Sequence, residues 1–255
     1  MAVISEVKNV KLNNPVLLIG LPGIGLVGKI AIDFIAEKMK NEKIGSIYST
    51  YFTPAGITYK GQINLIKDEF SVIKTKQKDF ILLTGIAQPA LFENINPEAH
   101  FEFAKKIVEI AKSLGVKEIY TFGGLDISDA RITKRPDLYF VTTNTKKKEP
   151  SKYAKLLQDE ITISGVAGLT LGFAKEDGMQ GYCILAETTA KLIYGDFEAA
   201  KKMLEFISKY FGLKVDLKDI DKEAKKISKA FKEVQSALKQ LSKDESSDVK
   251  PSYVR

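Results

Sequence analysis

Between Pro15 and Met39 the chain reads PVLLIGLPGIGLVGKIAIDFIAEKM, and two phosphate-handling motifs overlap in it. Gly23, Gly25 and Gly28 give G-x-G-x-x-G after the apolar run Val16 to Ile19 and ahead of a helical pattern, the arrangement of a dinucleotide-binding turn. The same glycines with Lys29 give G-x-x-x-x-G-K, most of a P-loop. A P-loop continues with Ser or Thr, whose hydroxyl holds magnesium; this chain has Ile30 there. A dinucleotide site needs a carboxylate about 20 residues on, at the end of the second strand, to hold the ribose. The next apolar run, Ile44 to Phe52, ends in Tyr51, Phe52 and Thr53. Two readings follow. The glycines permit positive φ and close helix–strand packing, and the turn is structural. Alternatively, Gly23 to Lys29 cradles an anion at a helix N-terminus, and the chain is a nucleotide- or nucleoside-binding enzyme.

Other reactive side chains are sparse. The one histidine, His100, has no His or Cys at metal spacing, so no metal site is read, and no G-x-S-x-G elbow exists for it to serve. Asp126 and Asp129 in GGLDISDAR follow a strand, and their types suit turn formation or helix capping. Glu176 and Asp177 precede Gly178 as a loop would. Glu187 is the isolated carboxylate best placed for a functional role, with capping of the segment ETTAKLIYG as its structural alternative. Cys183, the one cysteine, lies in the apolar run GYCILAE and reads as a buried inert thiol. Neither a catalytic residue nor a cofactor is predicted.

Elements must position these residues. At 255 residues and 44% hydrophobic content the chain can bury a large core. No apolar run approaches the roughly 18 residues that span a bilayer, and no leader pattern opens the chain, so a cytoplasmic protein is expected. The net charge of +7 comes from 39 Lys and Arg interspersed with 32 Asp and Glu, and only Lys146, Lys147 and Lys148 form a compact basic run. That mixing argues against nucleic acid as a partner. Strands are expected at Ile44 to Phe52, Gly61 to Ile66, Phe70 to Lys76 and Phe80 to Thr84, with hairpin turns at Lys67-Asp68-Glu69 and Gln77-Lys78-Asp79. Pro97 opens a helix to about Leu114, with Phe101, Ala104, Ile107, Val108 and Ala111 on one face and Gly115 as its stop. Val116 to Phe122 is a strand ended by Gly123-Gly124, Leu138 to Thr143 another, and Ser151 to Leu157 a short helix. Ile161 to Phe173 reads either as a turn plus small-residue helix or as a loop. Tyr182 to Ala186 is a buried strand and Phe197 to Tyr210 a helix stopped by Gly212. Helices recurring between strands predict a three-layer α/β domain with a mixed, largely parallel sheet over residues 1–213.

The C-terminal part differs. Leu217, Ile220, Ala224, Ile227, Phe231, Val234, Leu238 and Leu241 form a heptad seam, which predicts an amphipathic helix over 214–241 docked along another helix or a neighbouring subunit. Residues 242–255 are polar and aperiodic, a tail whose last residues, Tyr253, Val254 and Arg255, could dock as a peptide.

Five segments together resemble a known family: GLPGIGLVGK, TGIAQPAL (84–91), TFGGLDIS (121–128), ISGVAGLTLGFAKEDGMQGYCILAET (163–188) and DFEAAKKMLEFISKYFGLKVD. They look like the proteasome assembly chaperone family in its archaeal form, over residues 10 to 215. The resemblance implies a fold similar to nucleoside phosphorylases without their catalytic residues, no enzymatic activity, and self-association, as a tetramer or pentamer. It implies the proteasome core or a related assembly protein as partner. Some archaeal members dock through C-terminal tails of a hydrophobic residue, a penultimate tyrosine and any final residue. In this chain the tyrosine is Tyr253 and Val254 is penultimate.

Overall fold

Apolar runs of strand length alternate with amphipathic helices, and the chain closes them into one sheet flanked by helices on both faces. The computed structural model describes residues 3–89, 97–147, 149–192 and 195–218, with Ile220, Lys222, Lys229 and Glu233 beyond them. Its strands are β1 (Val3–Val7), β2 (Val16–Gly20), β3 (Glu42–Ser49), β4 (Gly56–Tyr59), β5 (Gln62–Leu65), β6 (Asp68–Ile73), β7 (Phe80–Thr84), β8 (Glu118–Asp126), β9 (Leu138–Thr142), β10 (Lys155–Leu156) and β11 (Gln180–Thr188). The helices are α1 (Val27–Lys38), α2 (Pro97–Ser113), α3 (Ala130–Thr133), α4 (Gly165–Glu176) and α5 (Phe197–Phe211).

Among the described residues nine strands form one sheet in the order β1-β3-β6-β7-β2-β8-β11-β9-β10, and β4 and β5 form a separate hairpin. The central strands β7, β2, β8 and β11 are parallel. Antiparallel pairs flank them: β1 with β3, β3 with β6, β6 with β7, and β11 with β9. The sheet is thus mixed with a parallel centre, as expected. Side chains alternate between two cores. Leu17, Ile81, Ile119 and Cys183 face α2 and α4. Leu18, Leu82, Tyr120 and Ile184 face α1 and α5, where Tyr120 stacks on Tyr182 at 4.9 Å between ring centroids. Strands buried on both faces are continuously apolar, which is why β2 and β11 were readable. Cys183 is fully buried between β8 and β9, and burial pushes its thiol up to about 11.

Several expectations are corrected. Lys67-Asp68-Glu69 is no hairpin turn: Asp68 opens β6 and is completely buried. β8 runs through Gly123 and Gly124 to Asp126. Ser151 to Leu157 is not a helix but a 3-10 turn, Glu149–Lys152, followed by β10. On α2 the buried aromatic is Phe103, and Phe101 is half exposed. The stretch from Ile161 resolves into an extended approach and α4, entered through Gly165 at φ +71°. At the C-terminal side Ile220 is buried and Leu217 partly buried in the core shared with α5. Ala224, Ile227, Phe231, Val234, Leu238 and Leu241 of the seam lie outside the described residues, as do Tyr253, Val254 and Arg255.

Candidate functional site

The glycine turn is closed by its own surroundings. A 3-10 turn, Ile24–Leu26, joins β2 to α1, with Gly25 at φ +62° and Leu26 at φ +51°. A Cβ on Gly25 would lie 2.3 Å from the Thr188 hydroxyl, and one on Gly28 2.0 Å from the Phe122 carbonyl oxygen. Gly124 is in turn pressed against the Ile24 carbonyl, which explains why β8 continues through its glycines. These glycines bring α1, β8 and β11 together at distances a side chain would forbid. Gly23 has open space around its missing Cβ and is extended at φ −159°.

Lys29 does not extend toward the turn. It is 3% exposed; its ammonium pairs with Asp33 at 2.5 Å and donates to the Gly85 carbonyl at 2.8 Å. Beside it, the Asp68 carboxyl is completely buried, and besides the Lys29 charge only the Ala87 backbone amide is near enough to favour its ionised form. Burial pushes the Asp68 carboxyl well above the usual carboxylate range, against the pull of the Lys29 charge. Asp33 is raised for the same reason, and the Lys29 charge opposes it in the same way. One ammonium therefore serves two carboxyls, and the lysine that completes the motif in sequence is a buried counter-ion in the fold.

A cleft of about 730 Å³ lies at the carboxyl ends of β2, β8 and β11. In open α/β sheets this is where ligands bind, because connections on either side of a switch point diverge. Here the connection from β2 crosses one face of the sheet toward β3 and the connection from β7 crosses the other toward β8. The lining is mainly apolar: Leu21, Leu125, Val166 and Leu185 within, and Ile24, Phe101 and Ile161 exposed at the rim. Its polar members include Gln88, His100, Asp126 and Ser164. Gln88 is a staple: its amide nitrogen donates to the Pro22 carbonyl and its oxygen accepts from Val166 N at 3.1 Å, capping α4. The α4 N-terminus is thereby partly satisfied by the protein itself.

The remaining candidates are structural. Glu187 does not cap the segment after β11. It accepts from Lys134 at 2.8 Å, from Asp137 N at 2.9 Å and from Tyr139 OH at 3.4 Å. Asp126 forms a turn by accepting from Ser128 N at 2.8 Å, and Asp129 pairs with Lys191. Asp177 pairs with Lys112 at 3.1 Å. Sequence reading missed the buried pair of Arg131 with Asp196, two bonds of 2.8 Å each. Asp196 also accepts from Thr188 at 3.0 Å and caps α5 through Ala199 N at 3.0 Å. The capping pattern before FEAAKK was a legible signal; the arginine, 65 residues away, was not. Among the described residues no group of three His, Cys, Asp or Glu gathers to hold a metal ion.

The sequence model of the PAC2 family matches residues 17–235. Two uncharacterized proteins of Methanocaldococcus jannaschii are 29% and 28% identical; each alignment covers 93% of this chain, and 90% and 93% of the respective relative. Among solved structures, Pyrococcus furiosus PbaB, described as an archaeal proteasome activator, superposes with a TM-score of 0.78 at 29% identity, covering 92% of this chain and 99% of that one. P. furiosus PbaA, described as an archaeal homolog of proteasome-assembly chaperone, gives a TM-score of 0.72 at 22% identity, covering 94% and 99%, a likeness of fold.

Proposed function

The chain belongs to the PAC2 family, and on that premise we propose that it is a non-enzymatic, homo-oligomeric assembly factor or adaptor that works by presenting protein-binding surfaces to the proteasome core or a related assembly protein in the cytoplasm. One observation carries the reading: Lys29, the residue a phosphate site would need, is drawn onto Asp33 and Gly85, while the glycines are filled by Phe122, Thr188 and Ile24. The turn is used for packing, and the cleft above it offers an apolar rim instead of a reactive constellation. The similarity to an archaeal proteasome activator over nearly the whole chain supports the partner class. The seam from Leu217 to Leu241 is the proposed oligomer contact, and Tyr253, Val254 and Arg255 are the proposed docking tail, several copies of which would gain from avidity.

Native mass spectrometry of the protein alone and mixed with archaeal proteasome core tests this. A discrete oligomer that adds to the core, and loses that addition when Ser252 to Arg255 are deleted, is expected. A monomer that ignores the core would overturn the proposal. The cleft's place at the strand ends favours a second reading, a bound nucleotide; millimolar ATP giving no heat in calorimetry would remove it.

A further inference from the structure

We propose that the opposite end of the sheet, where the parallel strands begin, is a docking face for an acidic polypeptide segment. Val16, Phe80, Glu118 and Gln180 stand in register across β2, β7, β8 and β11. The connections entering those strands are laced together there: Asp79 N donates to Asn13 O at 2.8 Å, Gln180 N to Lys117 O at 3.1 Å and Thr143 N to Gly181 O at 3.0 Å. These connections, with the one that leaves β9 beside β11, carry Lys11, Lys74, Lys76, Lys117, Lys146 and Lys147, all exposed, and the half-buried Lys78. Six neighbouring strands, β6 to β9, separate the outermost of them, about 25 Å at the usual strand spacing.

None of these lysines forms an ion pair among the described residues, although Glu118 stands beside Lys117 and the Lys147 charge acts on Glu149; three acids are engaged within the fold. Asp79 is buried, accepting from Asn13 N at 2.9 Å and Thr75 N at 3.2 Å; Asp177 is held by Lys112 and Glu149 by Tyr182. The other end of the sheet contrasts. Three of its cations are paired, Arg131 with Asp196, Lys134 with Glu187 and Lys191 with Asp129. Seven unpaired lysines across one end of the sheet leave positive charge there for an outside partner to answer.

Helix dipoles account for some of the lysines but not for this line. α1, α2, α4 and α5 end at this side, and Lys38, Lys112, Lys175 and Lys209 in their last turns complement the negative helix ends. The line itself lies in turns and loops outside the helices, where like charges repel unless a partner answers them. Its segments, KLNNP, KTKQKD, KE and NTKK, contain no arginine and no aromatic residue. Guanidinium forks and stacking rings are what nucleic-acid surfaces use for phosphate geometry and bases. Flexible ammonium groups in a row suit the side-chain carboxylates of an acidic segment.

The test uses the full chain and labelled poly-L-glutamate, read by fluorescence anisotropy. Binding is expected at low salt, weakening about tenfold or more between about 20 and 200 mM salt, because exposed pairs are screened over that range. The triple variant Lys74→Glu, Lys76→Glu, Lys78→Glu should bind about tenfold or more weakly, with unchanged melting temperature and native mass. A control reversing exposed Lys201 and Lys202 on α5 should bind like the parent, which separates this face from net charge. No binding at low salt, an equal loss in the control, or tighter binding of a DNA duplex of matched charge would each overturn the proposal. The oligomer and its addition to proteasome core are read separately, so failure here is distinct from failure of the proposed function.

Discussion

Replacing Lys29 with Met tests the reading of the glycine turn most directly. The side chain is 3% exposed and is the ammonium that faces both Asp33 and Asp68. Removing one partner of a buried charge cluster costs about 3–5 kcal/mol, because the carboxylates left behind are uncompensated. Asp33 is one-fifth exposed and can recover some hydration, so the lower half of that range is expected. For a chain of this size about 2–4 °C of melting temperature accompanies each kcal/mol, so a loss of roughly 6–16 °C is expected. The pH dependence has a definite sign. Both carboxyls are raised in the folded protein, so their contribution is fully present below the ordinary carboxylate pKa and is lost as pH rises through the raised values. Without Lys29 the largest influence opposing the rise is gone, so the deficit of the variant should shrink toward about pH 5 and widen toward pH 8. Asp68→Asn added to the variant should restore much of the loss at pH 8. Thermal melts by circular dichroism at the two pH values are the assay. A surface lysine reserved for phosphate would instead change stability by no more than about 0.5 kcal/mol. An unchanged melting temperature, or the same deficit at both pH values, would refute the argument.

Two further outcomes follow from the packing. Gly28→Ala should destabilise by about 1–3 kcal/mol or more in urea titration, since its Cβ would meet the Phe122 carbonyl at 2.0 Å, whereas Gly23→Ala, facing open space, should be nearly neutral. Asp196→Ala should cost about 3–5 kcal/mol by the same titration, because it strands buried Arg131 and removes the α5 cap together.

What was legible in the chain was what local pattern determines. β2, β7 and β11 are apolar on both faces, α2 is stopped by Gly115 at φ +75°, and α5 is stopped by Gly212 at φ +70°, so period and punctuation sufficed. The errors share a long-range cause. Asp68 looks like a turn residue because carboxylates are rarely buried, and only the approach of Lys29 from α1 makes its site tenable. Gly123 and Gly124 look like a strand end, yet Gly124 lies in the strand because Ile24 and Thr188 need the room. Phe101 and Phe103 both fall near an apolar stripe, and contact with Phe52 at 5.4 Å goes to Phe103. β1 and β4, at an edge and in a detached hairpin, carry too little apolar pattern to announce themselves, as the half-exposed β1 run VISEV illustrates. For the candidate site, Lys29 was singled out but its partner Asp33, four residues on, was not, and the role of the pair depends on Gly85 and Asp68 arriving from another part of the sheet.

The buried thiol of Cys183 gives the fold an internal clock. It lies in β11 between β8 and β9, fully shielded, and as the one cysteine it is free of competing signals. A thiol reagent can reach it only when the centre of the sheet parts, so the alkylation rate reports how often that opening occurs. With no tryptophan in the chain to follow by fluorescence, this sulfur measures core opening without any substitution. Followed with and without proteasome core, it would show whether any binding slows the parting of the central strands.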